Sequence, residues 1–228
     1  MGEMVEFASN GGTATGYLAV PESGQGPGVI VVQEWWGLVR HVQHVADRFA
    51  AEGFVALAPD LYHGVSTTEP DDAMRLLMGL AMDTAAKDMA GAAHYLQDRV
   101  EVTSSGVGIV GYCMGGSLAL WAATFSTEIV AAIGYYPAVP WERMEPKWSN
   151  YQGKSAMIHC SEADGTSQAA GIQQAWAAIE AAGGDVEVFD YPGTQHAFCN
   201  DDRPEVYDET ASGLSFGRTL DLLRRRLG

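Results

Sequence analysis

Residues 107–116, Val-Gly-Ile-Val-Gly-Tyr-Cys-Met-Gly-Gly, decide the fold. The first five form an apolar run without polar alternation, the pattern of a strand buried on both faces. Residues Gly115–Phe125 then read as a helix. The join, Gly111-Tyr112-Cys113-Met114-Gly115, is a G-x-nucleophile-x-G elbow with cysteine where serine is usual. Glycines flank it because the turn is tight. Such a turn lifts the nucleophile clear of the sheet and aims a helix N-terminus at it, a field that favours thiolate and oxyanion. The competing reading is a buried cysteine beside a glycine-rich turn.

Outward from the elbow, short apolar runs alternate with helical segments. Gly28–Gln33 and Phe54–Pro59 read as strands, with a helix at His41–Glu52 between them that stops at Gly53. Helices are expected at Pro70–Met82 and Ala85–Arg99, strands at Ile129–Tyr136, Ser155–Cys160 and Val186–Tyr191, and a helix at Ser167–Ala182. Glu205–Leu227 reads as a closing helix, broken or kinked around Gly213 and Gly217. Upstream, Gly11–Gly12 reads as a hairpin turn between Val5–Ala8 and Thr13–Val20. The alternation predicts one α/β domain over residues 1–228, a mostly parallel central sheet with helices on both faces. Such sheets carry their sites beyond the carboxyl ends of the strands.

Composition narrows the function classes. The 228 residues hold 13 Lys and Arg against 29 Asp and Glu, a net charge of −16. That sign disfavours nucleic acid and anionic membranes as partners. Hydrophobic residues make up 47%, enough for a sizeable core. Three cysteines, Cys113, Cys160 and Cys199, fit a reducing compartment better than a disulfide scaffold. With Glu3 and Glu6 near the start and no long apolar run, neither a signal peptide nor a membrane helix is expected. A cytoplasmic location is the expectation.

Two more residues sit where strand ends are expected. Asp164, in Ser161-Glu162-Ala163-Asp164-Gly165, follows Ser155–Cys160; Glu162 is a rival acid, and a helix cap or turn is the competing reading. His196, in Gly193-Thr194-Gln195-His196-Ala197-Phe198, follows the last strand. Nucleophile, acid and histidine thus occur in the chain order of triads on an α/β-hydrolase sheet. Cys113 would attack an acyl carbon, His196 would shuttle protons and Asp164 would orient the imidazole. Backbone N–H groups of Met114 and Trp35 would form the oxyanion hole.

Together these residues resemble the dienelactone hydrolase family over nearly the whole chain. The resemblance rests on Gln33-Glu34-Trp35-Trp36-Gly37-Leu38, Ala58-Pro59-Asp60-Leu61-Tyr62, the Cys113 elbow through Gly116, Gly134-Tyr135-Tyr136-Pro137, Asp164 and His196-Ala197-Phe198. It implies a monomeric α/β-hydrolase that needs no cofactor or metal and acts on a small ester or lactone. It implies a triad of Cys113, Asp164 and His196, with Glu34 beside the nucleophile influencing its protonation. Glu34 is otherwise a polar residue ending a strand.

The chain also departs from the family pattern. Family members acting on dienelactone hold its carboxylate with arginines, one of them four residues past the histidine, where this chain has Asn200. The serine after the histidine is replaced by Ala197. Arg203 and Arg75 are the candidate substitutes, and a guanidinium is the natural carboxylate clamp. Trp36, Tyr136, Ala197 and Phe198 are expected to line the pocket. Trp35, Trp36 and methionines Met74, Met78 and Met82 suggest an apolar one, although methionines at helical spacing are more often core.

The leading expectation is therefore a cysteine-dependent esterase for small esters, aryl esters included, with narrow dienelactone hydrolysis as the alternative. A cysteine amidotransferase or peptidase can also use a G-x-C-x-G elbow, but glutamine amidotransferases pair the histidine with a Glu two residues later, where this chain has Phe198. A binding scaffold of the same fold is the third reading. Cys160 and Cys199 lack an elbow and read as structural. His41 and His44, three apart on a helix, lack a third metal ligand.

Overall fold

A computed structural model describes residues 2–162 and 171–228. Eight strands form one sheet in the order β1-β2-β4-β3-β5-β6-β7-β8, namely β1 (Glu3–Ser9), β2 (Gly12–Ala19), β3 (Gly26–Val32), β4 (Val55–Pro59), β5 (Val102–Tyr112), β6 (Ile129–Tyr135), β7 (Ser155–Ser161) and β8 (Asp185–Tyr191). β1 and β2 run antiparallel to their neighbours, and β4, β3 and β5 through β8 are parallel. The six described α-helices are α1 (Arg40–Ala51), α2 (Pro70–Gly79), α3 (Met82–Gln97), α4 (Met114–Ala122), α5 (Ile172–Ala181) and α6 (Glu209–Leu227). This is the mostly parallel sheet with flanking helices expected from the alternation, and the α/β-hydrolase arrangement that the resemblance implies.

Period-2 geometry explains why the central strands are apolar throughout. In β3, Val29 and Val31 belong to the core layer that also holds α1 and α6, while Ile30 and Val32 belong to the layer that holds α3, α4 and α5. Strands covered on both faces have no solvent side to mark with polar residues. Each such buried aliphatic side chain contributes about 1.5–3 kcal/mol relative to exposure.

Three local expectations need correction. The hairpin turn consists of Asn10 and Gly11, both at positive φ (52° and 74°), because Ser9 pairs with Gly12. A two-residue turn of that hand matches the twist of its strands. The closing helix starts at Glu209, where the Asp208 carboxylate accepts the Ala211 N–H at 2.8 Å and so caps it. It is not broken at Gly213 or Gly217. Both glycines face outward while Ala211, Ser215, Thr219, Leu222 and Leu223 lie buried against the sheet, so packing overrides their weak helix propensity. The expected helix at Ser167–Ala182 lies partly outside the described residues; its described part is α5.

The topology also places a crevice. From β3 the chain moves to β4 on one side, then crosses back to β5 on the other. Strand order therefore reverses between β3 and β5. At such a switch point an open α/β sheet is expected to leave a crevice beyond the carboxyl ends of its strands, here β3 and β5.

Candidate active site

Register brings the two ends of this crevice level. Val32 of β3 pairs with Gly111 of β5, so Glu34 and Cys113 each lie two residues beyond a paired position. On the other side, Tyr112 pairs with Tyr135, which sets Tyr136 beside Cys113. The Cys113 N–H donates to the Tyr135 carbonyl at 3.0 Å, and the Tyr136 N–H donates to the His159 carbonyl at 2.7 Å.

The elbow is as tight as its glycines suggest. A Cβ on Gly111 would stand 1.9 Å from the Gly115 carbonyl oxygen, and one on Gly115 would stand 2.4 Å from the Gln33 carbonyl oxygen. Cys113 itself has φ 55° and ψ −117°, a conformation that non-glycine residues rarely adopt. Tyr136 (φ 37°) and Ala197 (φ 67°) are also in positive φ. Such strain costs about 1–3 kcal/mol per residue, and three of the six described non-glycine residues at positive φ follow β5, β6 and β8 on the side of the sheet that carries Cys113. Cys113 is only partly buried and opens α4; Met114 follows as the first helical residue, where an N–H finds no acceptor inside the helix.

Glu34 is 3% exposed, and one of its oxygens, Oε2, accepts the Asn200 side-chain amide at 2.8 Å. Its other oxygen, Oε1, is buried without a hydrogen-bond partner, and so is the Tyr136 hydroxyl. An orphan acceptor and an orphan donor in one crevice are unusual, since buried polar groups are nearly always satisfied. Burial, followed by the neighbouring Cys199, Glu34, Tyr112 and Cys113, pushes the Tyr136 phenol well above its ordinary value, so it stays protonated and able to donate.

Tyr62 reaches the same crevice from the loop after β4. Asp60 folds that loop, its carboxylate accepting the N–H groups of Tyr62 (3.1 Å) and Gly64 (2.5 Å). Gln33 Oε1 accepts the Leu61 N–H at 3.1 Å, tying the loop to the end of β3. The Tyr62 hydroxyl lies 3.3 Å from the Met114 sulfur. Its phenol is raised by burial and then by Cys113, and is lowered by Arg143. Arg143 is half-buried in a short 3-10 turn, Trp141–Arg143, and donates to the carbonyls of Leu77 and Met78 at the end of α2. Among the described residues no carboxylate lies within ion-pair distance of it. Sequence reading missed Tyr62, Arg143 and the contact of Asn200 with Glu34. Asp60-Leu61-Tyr62-His63-Gly64, with an Asp capping two following N–H groups, was the available signal for the first; nothing local signals the other two.

His196 stands in the loop after β8, with the Tyr136 ring edge-on at 4.9 Å. Phe198 is fully buried and packs on Tyr136 at 5.4 Å, while Ala197 is 2% exposed and turns the corner. Glu162, the rival acid, accepts the Gly193 N–H with Oε2 at 2.5 Å, so it braces the backbone of the histidine loop. Asp164 lies outside the described residues. Trp35 and Trp36 stand edge-to-face at 4.9 Å just past β3, and the Trp36 carbonyl accepts the Thr67 N–H at 3.0 Å. The two candidate cations are turned elsewhere. Arg75 is exposed on α2 and pairs with Asp72 one turn back, and Arg203 pairs with Glu205 at 2.9 Å. Cys199 is buried, and burial pushes its thiol up to about 12, so it is a poor thiolate. A cavity of about 790 Å³ lined by Cys160, Glu162, Ile172, Trp176, Val188 and Asp190 borders the chain leaving β7 and does not include Cys113. Among the described residues no helix is long and apolar enough to cross a membrane.

Comparison with known proteins places this geometry in context. Residues 14–227 match the dienelactone hydrolase family. A protein of Aquifex pyrophilus named Protein usf is 35% identical, covering all of both chains. A putative carboxymethylenebutenolidase of Aquifex aeolicus is 33% identical over 91% of each. Among solved structures, a dienelactone hydrolase-like promiscuous phosphotriesterase from metagenomic libraries superposes with a TM-score of 0.85 at 20% identity, covering 100% of this chain and 99% of that one.

Proposed function

Because this chain belongs to the dienelactone hydrolase family, whose members hydrolyse esters and lactones, we propose that it is a cysteine-dependent hydrolase of small carboxylic esters. The observation that carries this reading is Cys113 at positive φ on a strand-to-helix elbow, at the point where strand order reverses. In the proposed cycle the Cys113 sulfur bonds to the acyl carbon and the carbonyl electrons move onto oxygen. N–H groups of Met114 and Trp35 receive that oxyanion. As the C–O bond breaks, His196, which enters the cycle as the imidazolium, gives its proton to the departing alkoxide and a thioester remains. His196 then takes a proton from water, whose oxygen attacks the thioester; the carbon–sulfur bond breaks and acid leaves. Asp164 orients the imidazole, and Glu34 takes up and returns the thiol proton. Trp36, partly exposed, is left to face the acyl group, while Tyr136, Ala197 and Phe198 are buried and back the site rather than line it, contrary to the expectation from sequence.

The substrate class follows from the side chains around the nucleophile. Arg75 and Arg203 are engaged with Asp72 and Glu205, and Asn200 offers an uncharged amide, which favours uncharged esters, aryl esters included. Arg143 supports the second reading, narrow hydrolysis of dienelactone, because a half-buried guanidinium without a carboxylate partner among the described residues suits an anionic substrate.

Initial rates on a short-chain p-nitrophenyl ester, with native protein and Cys113→Ala side by side, test the proposal. Native turnover that falls by at least about a thousandfold in the variant is expected, the scale seen when a nucleophile is removed. Equal rates would remove Cys113 from the mechanism. Dienelactone turned over far faster than the neutral ester would transfer the conclusion to the second reading.

A further inference from the structure

Glu34 is a buried carboxylate held by a neutral amide. Its contact, Asn200, comes from the far end of the chain, 166 residues away, and joins the end of β3 to the corner that follows His196. Both residues are 3% exposed. The amide has little choice of orientation: Asn200 Oδ1 accepts the Asp202 N–H at 3.1 Å, which leaves Nδ2 to face Glu34. The backbone fixes the residue as well, because the Asn200 N–H donates to the carbonyl of Ala197, itself in positive φ. Among the described residues no cation lies within ion-pair distance of Glu34. Around the corner that carries Asn200, Asp201 pairs with His41 Nδ1 and Arg203 pairs with Glu205.

We infer that Asn200 is the positioning residue for Glu34: it holds one carboxylate oxygen by a single neutral bond, leaving Oε1 and the full negative charge available to the Cys113 proton. The inference rests on the proposed cysteine mechanism and assigns Asn200 a role in it. A cation at this position would hold the carboxylate but also cancel its charge, which weakens it as a proton acceptor. An aliphatic side chain would preserve neither position nor bond. The amide fixes the group without neutralising it. The transfer is balanced: the Cys113 S–H proton passes to Oε1, leaving a thiolate and a neutral carboxylic acid, and returns when the thioester is cleaved.

The test reads the nucleophile directly. Other groups facing Cys113 and Glu34 are Tyr62 from the β4 loop with Arg143 behind it, Tyr112 from the end of β5, Tyr136 from the end of β6 and Cys199 from the loop after β8, with His196 against the Tyr136 ring. They are unchanged in Asn200→Leu, Asn200→Asp, Glu34→Gln and the double variant Glu34→Gln/Asn200→Leu. Each is assayed for the pH of half-maximal Cys113 alkylation by iodoacetamide, and for kcat and KM on a neutral p-nitrophenyl ester. Asn200→Leu is expected to lose roughly ten- to a hundredfold in kcat with little change in KM, the scale of a hydrogen bond to a charged group. Its alkylation profile should move in the same direction as that of Glu34→Gln, and the double variant should move no further than Glu34→Gln alone. Asn200→Asp keeps the size and shape of the side chain, so it carries the test if the leucine variant does not fold. A second carboxylate there should push alkylation to higher pH by about one unit. Wild-type kcat and alkylation in Asn200→Asp, or additive effects in the double variant, would overturn the inference. Full esterase activity in Cys113→Ala would instead overturn the mechanism on which it rests.

Discussion

At the residue scale, three strained backbones and one buried imidazole carry the most information. Cys113, Tyr136 and Ala197 follow different strands, yet all three stand at positive φ on the side of the sheet that carries Cys113. His159 lies directly behind them and is fully buried. Its Nδ1 is 2.7 Å from the Tyr191 hydroxyl and its Nε2 is 3.1 Å from Thr219 Oγ1, while its carbonyl holds Tyr136. Burial, and then the charge of Arg218, lowers this histidine to about 3. The folded protein therefore keeps it neutral, whereas the unfolded chain protonates it near pH 6.5. More protons are bound unfolded than folded across that window. Its contribution is complete above about pH 6.5 and declines as the pH falls toward 3, by up to about 1.4 kcal/mol per pH unit. Urea melts of native protein and His159→Gln at pH 7 and pH 5 check this. The variant should be less stable at pH 7 and lose less on acidification; parallel losses would mean that His159 is protonated in the fold.

At the element scale, α6 shows local propensity and packing in opposition. Its cap at Asp208 and its buried stripe are favourable, and its two outward glycines are not. Asp208→Ala should cost about 1 kcal/mol by leaving the Ala211 N–H unsatisfied. Gly213→Ala and Gly217→Ala should each stabilise by about 0.5–1 kcal/mol, because a Cβ at either position meets nothing within 4 Å and neither glycine needs positive φ. Thermal melts of the three variants separate these signs. A destabilised Gly213→Ala would show that the helix needs freedom there.

At the scale of the whole molecule, α6 is the lid of one core layer. Leu223 is fully buried, and its Cδ2 occupies the space that a side chain on Gly108 of β5 would need. Helix and strand therefore approach closely because β5 carries a glycine there, and the helix lies across β5, β6 and β7. Leu223→Ala should cost about 2–5 kcal/mol, as expected for a fully buried leucine in a close-packed layer. Because β5 also ends in the Cys113 elbow, esterase activity and the melting midpoint should both fall. Unchanged stability would mean that the layer collapses around the smaller residue.

Strand identity, the parallel sheet and the elbow were legible in the residues themselves, because apolar runs, period-2 burial and glycine spacing are local consequences of backbone geometry. Gly111 and Gly115 flank Cys113 for a reason the sequence already states: no other residue fits that turn. The hairpin turn and the start of α6 were misplaced by a few residues, since pairing register and a side-chain cap settle them and neither shows in composition. The partner of Glu34 was decided only by the tertiary structure. Asn200 looks like a missing arginine when read along the chain, and the fold shows an amide holding a carboxylate 166 residues away. Arg75 and Arg203, the candidate clamps by position, pair with Asp72 and Glu205, their neighbours in sequence. Local rules thus determined where Cys113 stands; which groups surround it depended on strand order and register, which bring distant segments together beyond the same strand ends.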